Sequence, residues 1–560
     1  MGASDEGYKE FVERLENICE KYAEKTAITF MRNDDTKTLF TFGEIIGYIR
    51  NAKEKFAKVG LKPGDRAVII APHSPFAIIT GLSLAYSNIT SVLIDASLPA
   101  EEINRLLELS DVHSVITTSD IYETLDKSMI SNIPAINIAT VTEGIVIFSG
   151  SSAEVNVSAT TDPHLDVIAI LFSSGTTDRV KGVMVTYTSI VKSTSMIAML
   201  GGMNEDATFL FVLPYSHISG LSCAIASLFY QCELGMIENL EATKLSKGFL
   251  QYNPTHFSMV PRVYEVIEQK IRQEFHRKGK VAECIVLGTL SFSGLLRRTL
   301  HINIGKKMFK KIRQKVFGEN IYGLAVGATP AKDVTTKFFL NLGVQWANTY
   351  ATTETGVPAT STGDFDNYPI GNEGSVKRFE GIHIKIHNPD EKGIGEIRVK
   401  TILIMKGYFR DPELTAAAFD EDGYLKTGDL GYIDKKDYLH VTGRIKEAIM
   451  LHTGKKVAPS DVDALYGTLC PEIAIASCGV PYRDGTYDEI HLFVERGEMS
   501  EDECQKLKKR IMDFSAETST LYQISALHFT EKLPVTSVGK VKRFKLRELA
   551  HSGNTGGAAQ

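Results

Sequence analysis

The sequence predicts an α/β fold, with a large N-terminal domain of parallel-rich sheets covered by helices and a small α+β C-terminal domain. Three observations predict it. Strand-like apolar runs alternate with amphipathic helical stretches through most of the chain. After about Gly443 the texture changes to shorter strands around a turn and one helix. The 560 residues, 43% hydrophobic and 23% charged, suffice for one large core and a smaller one, and exclude disordered and collagenous classes.

The elements can be justified in order. Thr41-Phe-Gly-Glu44 is a capping box, followed by Ile45, Ile49, Ala52 and Phe56 at helical spacing and by Gly60 as a stop. The turn Lys62 to Asp65 feeds a strand over Ala67 to Ala71. Ser74-Pro75 starts a helix, and Ser91 to Ile94 is the next strand. Ser114 to Thr117 and Val167 to Phe172 continue the alternation. In the C-terminal part, Ile473 to Val480 and Glu489 to Val494 flank an Asp484-Gly485 turn, with a helix near Glu501 to Phe514. The division expected is 1–445, 446–550 and a flexible tail 551–560.

Composition bounds the function. With 62 basic and 68 acidic residues the net charge is -6, so no nucleic-acid coat is expected. Seven cysteines are scattered without a Cys-x-x-Cys pair, which suggests neither a disulfide framework nor a zinc knuckle. Met1 to Lys25 lacks the apolar run of a signal peptide. Ile78 to Leu93 is too interrupted for a membrane span. A cytoplasmic setting is expected.

Chemistry first shows in Leu171-Phe-Ser-Ser-Gly-Thr-Thr-Asp-Arg-Val-Lys-Gly182, directly after a strand. Four hydroxyls, a glycine and a lysine within nine residues suit a loop that wraps phosphates. It is not a Walker loop, because Val180 replaces the glycine before Lys181 and Gly182 the magnesium-binding Ser/Thr. The stretch resembles the phosphate loop of the adenylate-forming, or AMP-binding, superfamily. Further motifs similar to that superfamily follow in order from about Thr41 to Arg547: Leu213-Pro-Tyr-Ser-His217-Ile-Ser-Gly220, Val326-Gly-Ala328, Asn348-Thr-Tyr-Ala-Thr-Thr-Glu354, Gly374-Ser-Val376, Tyr424-Leu-Lys-Thr-Gly-Asp429, His440-Val-Thr-Gly-Arg444-Ile-Lys446, and Leu533 to Arg543 around Gly539-Lys540.

The resemblance implies roles. Ser173, Ser174, Gly175, Thr176, Thr177, Lys181 and Thr353 would meet the phosphates of ATP. Gly327, Ala328, Asn348, Thr349 and Tyr350 would line the adenine site, with Asp429 and Arg444 at the ribose. Glu354 would bind Mg2+, His217 would lie beside the substrate carboxylate, Lys540 would be a mobile cation, and Lys446 the hinge. Taken alone, Glu354 reads as a surface acid and Asp429 as a turn residue; the ordered context gives them function. Asp178 and Val180 depart from the superfamily pattern, placing an extra carboxylate near bound triphosphate.

Pro261-Arg262-Val-Tyr264-Glu265-Val-Ile267, a basic segment before Val326, and Ile449 to Pro459 are most similar to long-chain fatty acyl-CoA synthetases. No acid accompanies the segments near His217 or Gly323, so an uncharged acyl tail is expected. The implied reaction activates a medium- or long-chain fatty acid to acyl-AMP and transfers it to CoA. An acyl-carrier-protein-loading ligase, an aryl- or other carboxylate-CoA ligase and a nucleotide-binding sensor stay open as alternatives. Finally, Arg297 to Lys315 holds eight basic residues and no acid. From Ile304, apolar residues at four-residue steps predict one helix with a cationic face, suited either to solvent or to peripheral contact with an anionic membrane.

Overall fold

The computed structural model describes residues 6–131, 133–140, 147–149, 165–173, 180–361, 370–470, 472–482, 485–536 and 539–552. Two eight-stranded sheets form the N-terminal body. One runs in the order Gly356–Thr360, Gln345–Thr352, Gly323–Val326, His256–Met259, Thr208–Phe211, Glu233–Ile237, Thr26–Met31, Lys37–Thr41. Its six inner strands are parallel. The other runs Gly407–Tyr408, Lys181–Thr186, Val167–Ser173, Thr90–Asp95, Arg66–Ala71, Ser114–Thr117, Ala135–Asn137, Ile147–Ser149, with five consecutive parallel strands from Val167–Ser173 to Ala135–Asn137. Arg66–Ala71 and Thr90–Asp95 are buried at five of six positions, as strands covered by helices on both faces must be.

The helix Phe42–Lys58 starts at the capping box read from the sequence: the Glu44 N–H donates to Thr41 Oγ1 at 3.1 Å and the Thr41 N–H to Glu44 Oε2 at 2.8 Å. Its stripe of Ile45, Ile49, Ala52 and Phe56 is buried in a core that joins the two sheets, between Ile28 and Phe30 of one and Ile69 and Leu93 of the other. Beyond the sheets, Ile382–His387, Gly395–Thr401, Leu425–Ile433 and Leu439–Arg444 form an antiparallel sheet. The C-terminal segment builds a three-stranded sheet from Ile475–Pro481, Asp488–Glu495 and Ala526–Thr530. Its apolar clusters draw only on residues from Ile449 onward, whereas the residues of the others end at Val441.

The basic stretch differs from its expectation. No single helix runs from Ile304: two short helices, Gly305–Met308 and Lys310–Phe317, meet at Phe309, which is buried and ends the first turn. Arg297 and Arg313 are buried rather than on a cationic face, and Arg313 donates to the carbonyls of Gly305, Leu342 and Lys306. Of the apolar residues, Ile312 and Val316 pack on the core while Met308 is exposed.

Close packing positions one functional turn. The His217 N–H donates to the Pro214 carbonyl at 3.0 Å, and a Cβ added at Gly220 would lie 1.9 Å from that same oxygen. Gly220→Ala therefore has to spread the turn, and should cost about 1–3 kcal/mol. Gly47→Ala, in a helix with nothing within 4 Å of the new methyl, should be neutral or stabilising by up to about 1 kcal/mol. Thermal melts of the two variants check the pair; equal melting temperatures would refute the packing argument.

Candidate active site

Parallel strands from both sheets end at one place, as expected for ligand sites in α/β proteins. Asp95, Phe172, Leu213, Met259, Val326 and Thr353, all within two residues of strand carboxyl ends, line one cavity of about 660 Å3. The cavity follows the strands downward. Phe209 pairs with His256, His256 with Gly323, and Gly323 with Gln345, and all four line it. From Gly323 to Val326 the wall is about 10 Å long at the usual rise of a strand. This lower part is mostly apolar, with Phe209, Phe257 and Leu324; His256, Tyr322 and Gln345 add polar groups at its depth.

The upper end is cationic. Lys181, at the start of Lys181–Thr186, lies over the Tyr408 ring, 4.7 Å from its centroid. The Tyr408 hydroxyl donates to Glu354 Oε1 at 3.2 Å, which ties Lys181, Tyr408 and Glu354 together. Burial lowers the Lys181 pKa, reinforced by Lys446 and opposed by Glu354. Lys540 reaches the same cavity from the C-terminal segment. Its turn is closed by the Thr536 N–H donating to the Lys540 carbonyl at 2.8 Å and by the Lys540 N–H donating to Thr536 Oγ1 at 3.1 Å. Gly539 sits between them at φ 73°, a conformation that favours glycine. Burial and then Arg444 lower the Lys540 pKa, against Glu447 and Asp429.

Arg444 and Asp429 are cross-strand partners, and their side chains pair at 2.9 Å, Nε to Oδ1. The Tyr350 hydroxyl donates to the other oxygen of Asp429 at 2.8 Å. Arg444 faces the cavity, while Tyr350 and Asp429 stand behind it as buried support. Asn348 is also set back. It accepts from Trp346 Nε1 at 2.9 Å and donates to the Asn372 carbonyl at 2.9 Å; Trp346 is fixed by stacking on Phe339. Gly327, Ala328, Thr349, Thr353, Glu354 and Lys446 line the cavity. Ala328 does so at φ 71°, a strained conformation for a side-chain-bearing residue. His217 caps the helix Ile218–Phe229, its Nδ1 accepting from the Ser219 N–H. Of the phosphate loop, Ser174, Gly175, Thr176, Thr177 and Asp178 lie outside the described residues, as does the side chain of Ser173. The ends of the loop are brought together by the antiparallel pairing of Ser173 with Lys181.

The cavity also takes residues that the motifs do not contain, among them Asp95, Glu102 and Tyr408. Asp95 corrects the expectation that no acid stands near the His217 segment: it acts electrostatically on His217, yet comes from a strand more than a hundred residues earlier, and Glu102 lines the same cavity. Tyr408 comes from an edge strand of two residues, Gly407–Tyr408, with no motif around it. Among the described residues no group of three His, Cys, Asp or Glu could hold a metal. Glu354 alone fits a Mg2+ that takes most of its ligands from phosphates and water.

Lys181, Arg444 and Lys540, all half-buried, thus meet at the mouth of an apolar channel near the carboxyl ends of parallel strands. Residues 15–409 match the model of the AMP-binding enzyme family, and the chain belongs to that family. It is 28% identical to 4-coumarate–CoA ligase-like 9 of Arabidopsis thaliana, over 94% of this chain and 88% of that protein. It is 24% identical to the long-chain-fatty-acid–CoA ligase ACSBG2 of Mus musculus, over 83% and 74%. The fold is that of o-succinylbenzoate-CoA synthetase from Bacillus subtilis in complex with ATP and magnesium ion, with a TM-score of 0.70, 20% identity, and coverage of 95% and 99%.

Burial pushes the His217 pKa down to about 4, with Lys540 adding and Asp95 opposing. The folded form therefore binds fewer protons than the unfolded chain between pH 6.5 and 4, so stability falls as pH falls through that window. By pH 5 the loss from this group is about 2 kcal/mol. His217→Asn keeps a capping side chain and removes the titration, so its melting temperature should decline less between pH 7.5 and 5 than that of the parent. Parallel curves would show that His217 is solvated.

Proposed function

We propose that this chain is an AMP-forming acid–CoA ligase acting on a medium- or long-chain fatty acid. The observation that carries the reading is the meeting, in one cavity, of an apolar channel with Lys181, Arg444 and Lys540 around His217 and Glu354. In the first half-reaction a carboxylate oxygen attacks the α-phosphorus of ATP and the bond to the bridging oxygen breaks, giving acyl-AMP and pyrophosphate. Lys181 and Lys540 offset charge on the phosphates; Arg444, braced by Asp429 and Tyr350, sets the ribose end. His217, neutral at physiological pH, orients the carboxylate without repelling Lys540. When bound at Glu354, Mg2+ supplies further charge neutralisation of the phosphates. In the second half-reaction the CoA sulfur attacks the acyl carbon, AMP leaves and the thiol proton is released.

Lys446 is the hinge in this reading, separating 1–445 from a C-terminal domain 446–550 that carries Lys540. Separate apolar cores on either side support it, because Lys540 can withdraw without exposing either one. Relatives named as 4-coumarate ligases, and the polar side chains of His256, Tyr322 and Gln345 deep in the channel, favour an aryl acid as the second reading. ATP–pyrophosphate exchange with fatty acids of increasing length and with hydroxycinnamic acids decides between them, and absence of exchange with every acid would leave a nucleotide-binding sensor. CoA against holo carrier protein in a thioester assay identifies the acceptor.

Lys540→Ala should slow acyl-AMP formation by roughly 10²- to 10³-fold, the effect of losing one preorganised charge. Thioester formation from supplied acyl-AMP should survive. Equal slowing of both half-reactions, read by single-turnover quench, would contradict the role.

A further inference from the structure

The helix Lys280–Leu300 leaves a long face without a partner among the described residues. Val281 is 75% exposed, Ile285 64%, Phe292 52% and Leu295 50%. These positions share one side of the helix and extend about 21 Å along it. From Cys284 to Leu296 the sequence has no charged residue. The opposite side, with Leu290, Ser293 and Arg297, is buried. The chain then leaves the helix through exposed Leu300 and Ile302 into the two short helices, where Lys306, Lys307, Lys310 and Lys311 are exposed. None of these four makes an ion pair with a described residue. The acids nearby are engaged elsewhere, Glu274 with Lys315 and Glu283 with His276.

We infer that this surface docks the protein on an anionic lipid bilayer, with the Val281–Leu295 face in the acyl boundary and the lysine cluster on the headgroups. Charge decides the occupant. A second copy offers these lysines no opposite charge from this surface, because Cys284 to Lys315 holds no acid. Anionic headgroups complement the lysines, and the acyl boundary accepts the apolar face beside them. No helix among the described residues is long and apolar enough to cross a membrane, so the contact is peripheral. It goes beyond the ligase reading and does not need it.

Cosedimentation of the full chain with vesicles tests the proposal, using one part phosphatidylglycerol to three of phosphatidylcholine, and phosphatidylcholine alone. Binding to the mixed vesicles at low salt, reversed by high salt, is expected. Changing Lys306, Lys307, Lys310 and Lys311 together to Gln should weaken it about tenfold or more. Phe292→Gln with Leu295→Gln should do the same; both sites are exposed, so melting temperature and ATP–pyrophosphate exchange should stay at parental values. Cys284, the exposed one of the seven cysteines, lies on the face, and a nitrobenzoxadiazole label there should brighten and shift blue with mixed vesicles. No binding by the parent at low salt, or undiminished binding by either variant, would overturn the inference. So would a dimer, seen by sedimentation without lipid, that the Phe292/Leu295 variant dissociates.

Discussion

Bringing Lys181, Arg444 and Lys540 into one partly buried cavity is the constraint on which the rest of the molecule depends. Each loses hydration there, and the two lysines are pushed toward their neutral forms by burial and by neighbouring cations. Glu354 and Asp429 offset only part of this, and each is itself held, by Tyr408 and by Tyr350 with Arg444. The arrangement is worth its cost only when a polyanion enters. The parallel sheets supply the rigidity: strand carboxyl ends fix Asp95, Leu213, Val326 and Thr353 around the space, while the strands themselves wall an apolar channel below it.

The third cation is held differently from the other two. Lys181 and Arg444 start or end strands of the large body, whereas Lys540 stands on a short turn closed by Thr536 and belongs to a segment with its own core. That segment is internally braced. Arg543 pairs with Asp463 at 2.6 Å and lies 3.5 Å from Glu447, and Arg547 donates to the Gly479 carbonyl at 2.6 Å. A charge mounted on a segment with its own core suits the delivery and withdrawal that the two proposed half-reactions require.

How much of this was legible in the sequence follows from how local each determinant is. The capping box at Thr41 and the strands Arg66–Ala71 and Thr90–Asp95 depend on neighbouring residues, and the structure has them where the pattern places them. Lys181, Glu354, Arg444 and Lys540 stand in ordered motifs, and the fold brings all four to one cavity. Asp95, Glu102 and Tyr408 were not legible, because only tertiary folding carries them there. The helix expected from Ile304 failed for a similar reason. Its four-residue apolar spacing is real, but Phe309 and Arg313 turn inward, Arg313 onto backbone carbonyls, and tertiary contacts outweigh the local period. The apolar face of Lys280–Leu300 was hidden because a stretch without charges reads as buried helix until its neighbours are known.

The proposed activation depends on a bond formed between the substrate carboxylate and the α-phosphorus of ATP. Turnover of a fatty acid labelled with 18O in both carboxylate oxygens, with ATP and CoA, followed by mass spectrometry of the products, tests that bond directly. AMP should carry one 18O atom and pyrophosphate none. Label in inorganic phosphate or pyrophosphate, or unlabelled AMP, would contradict it.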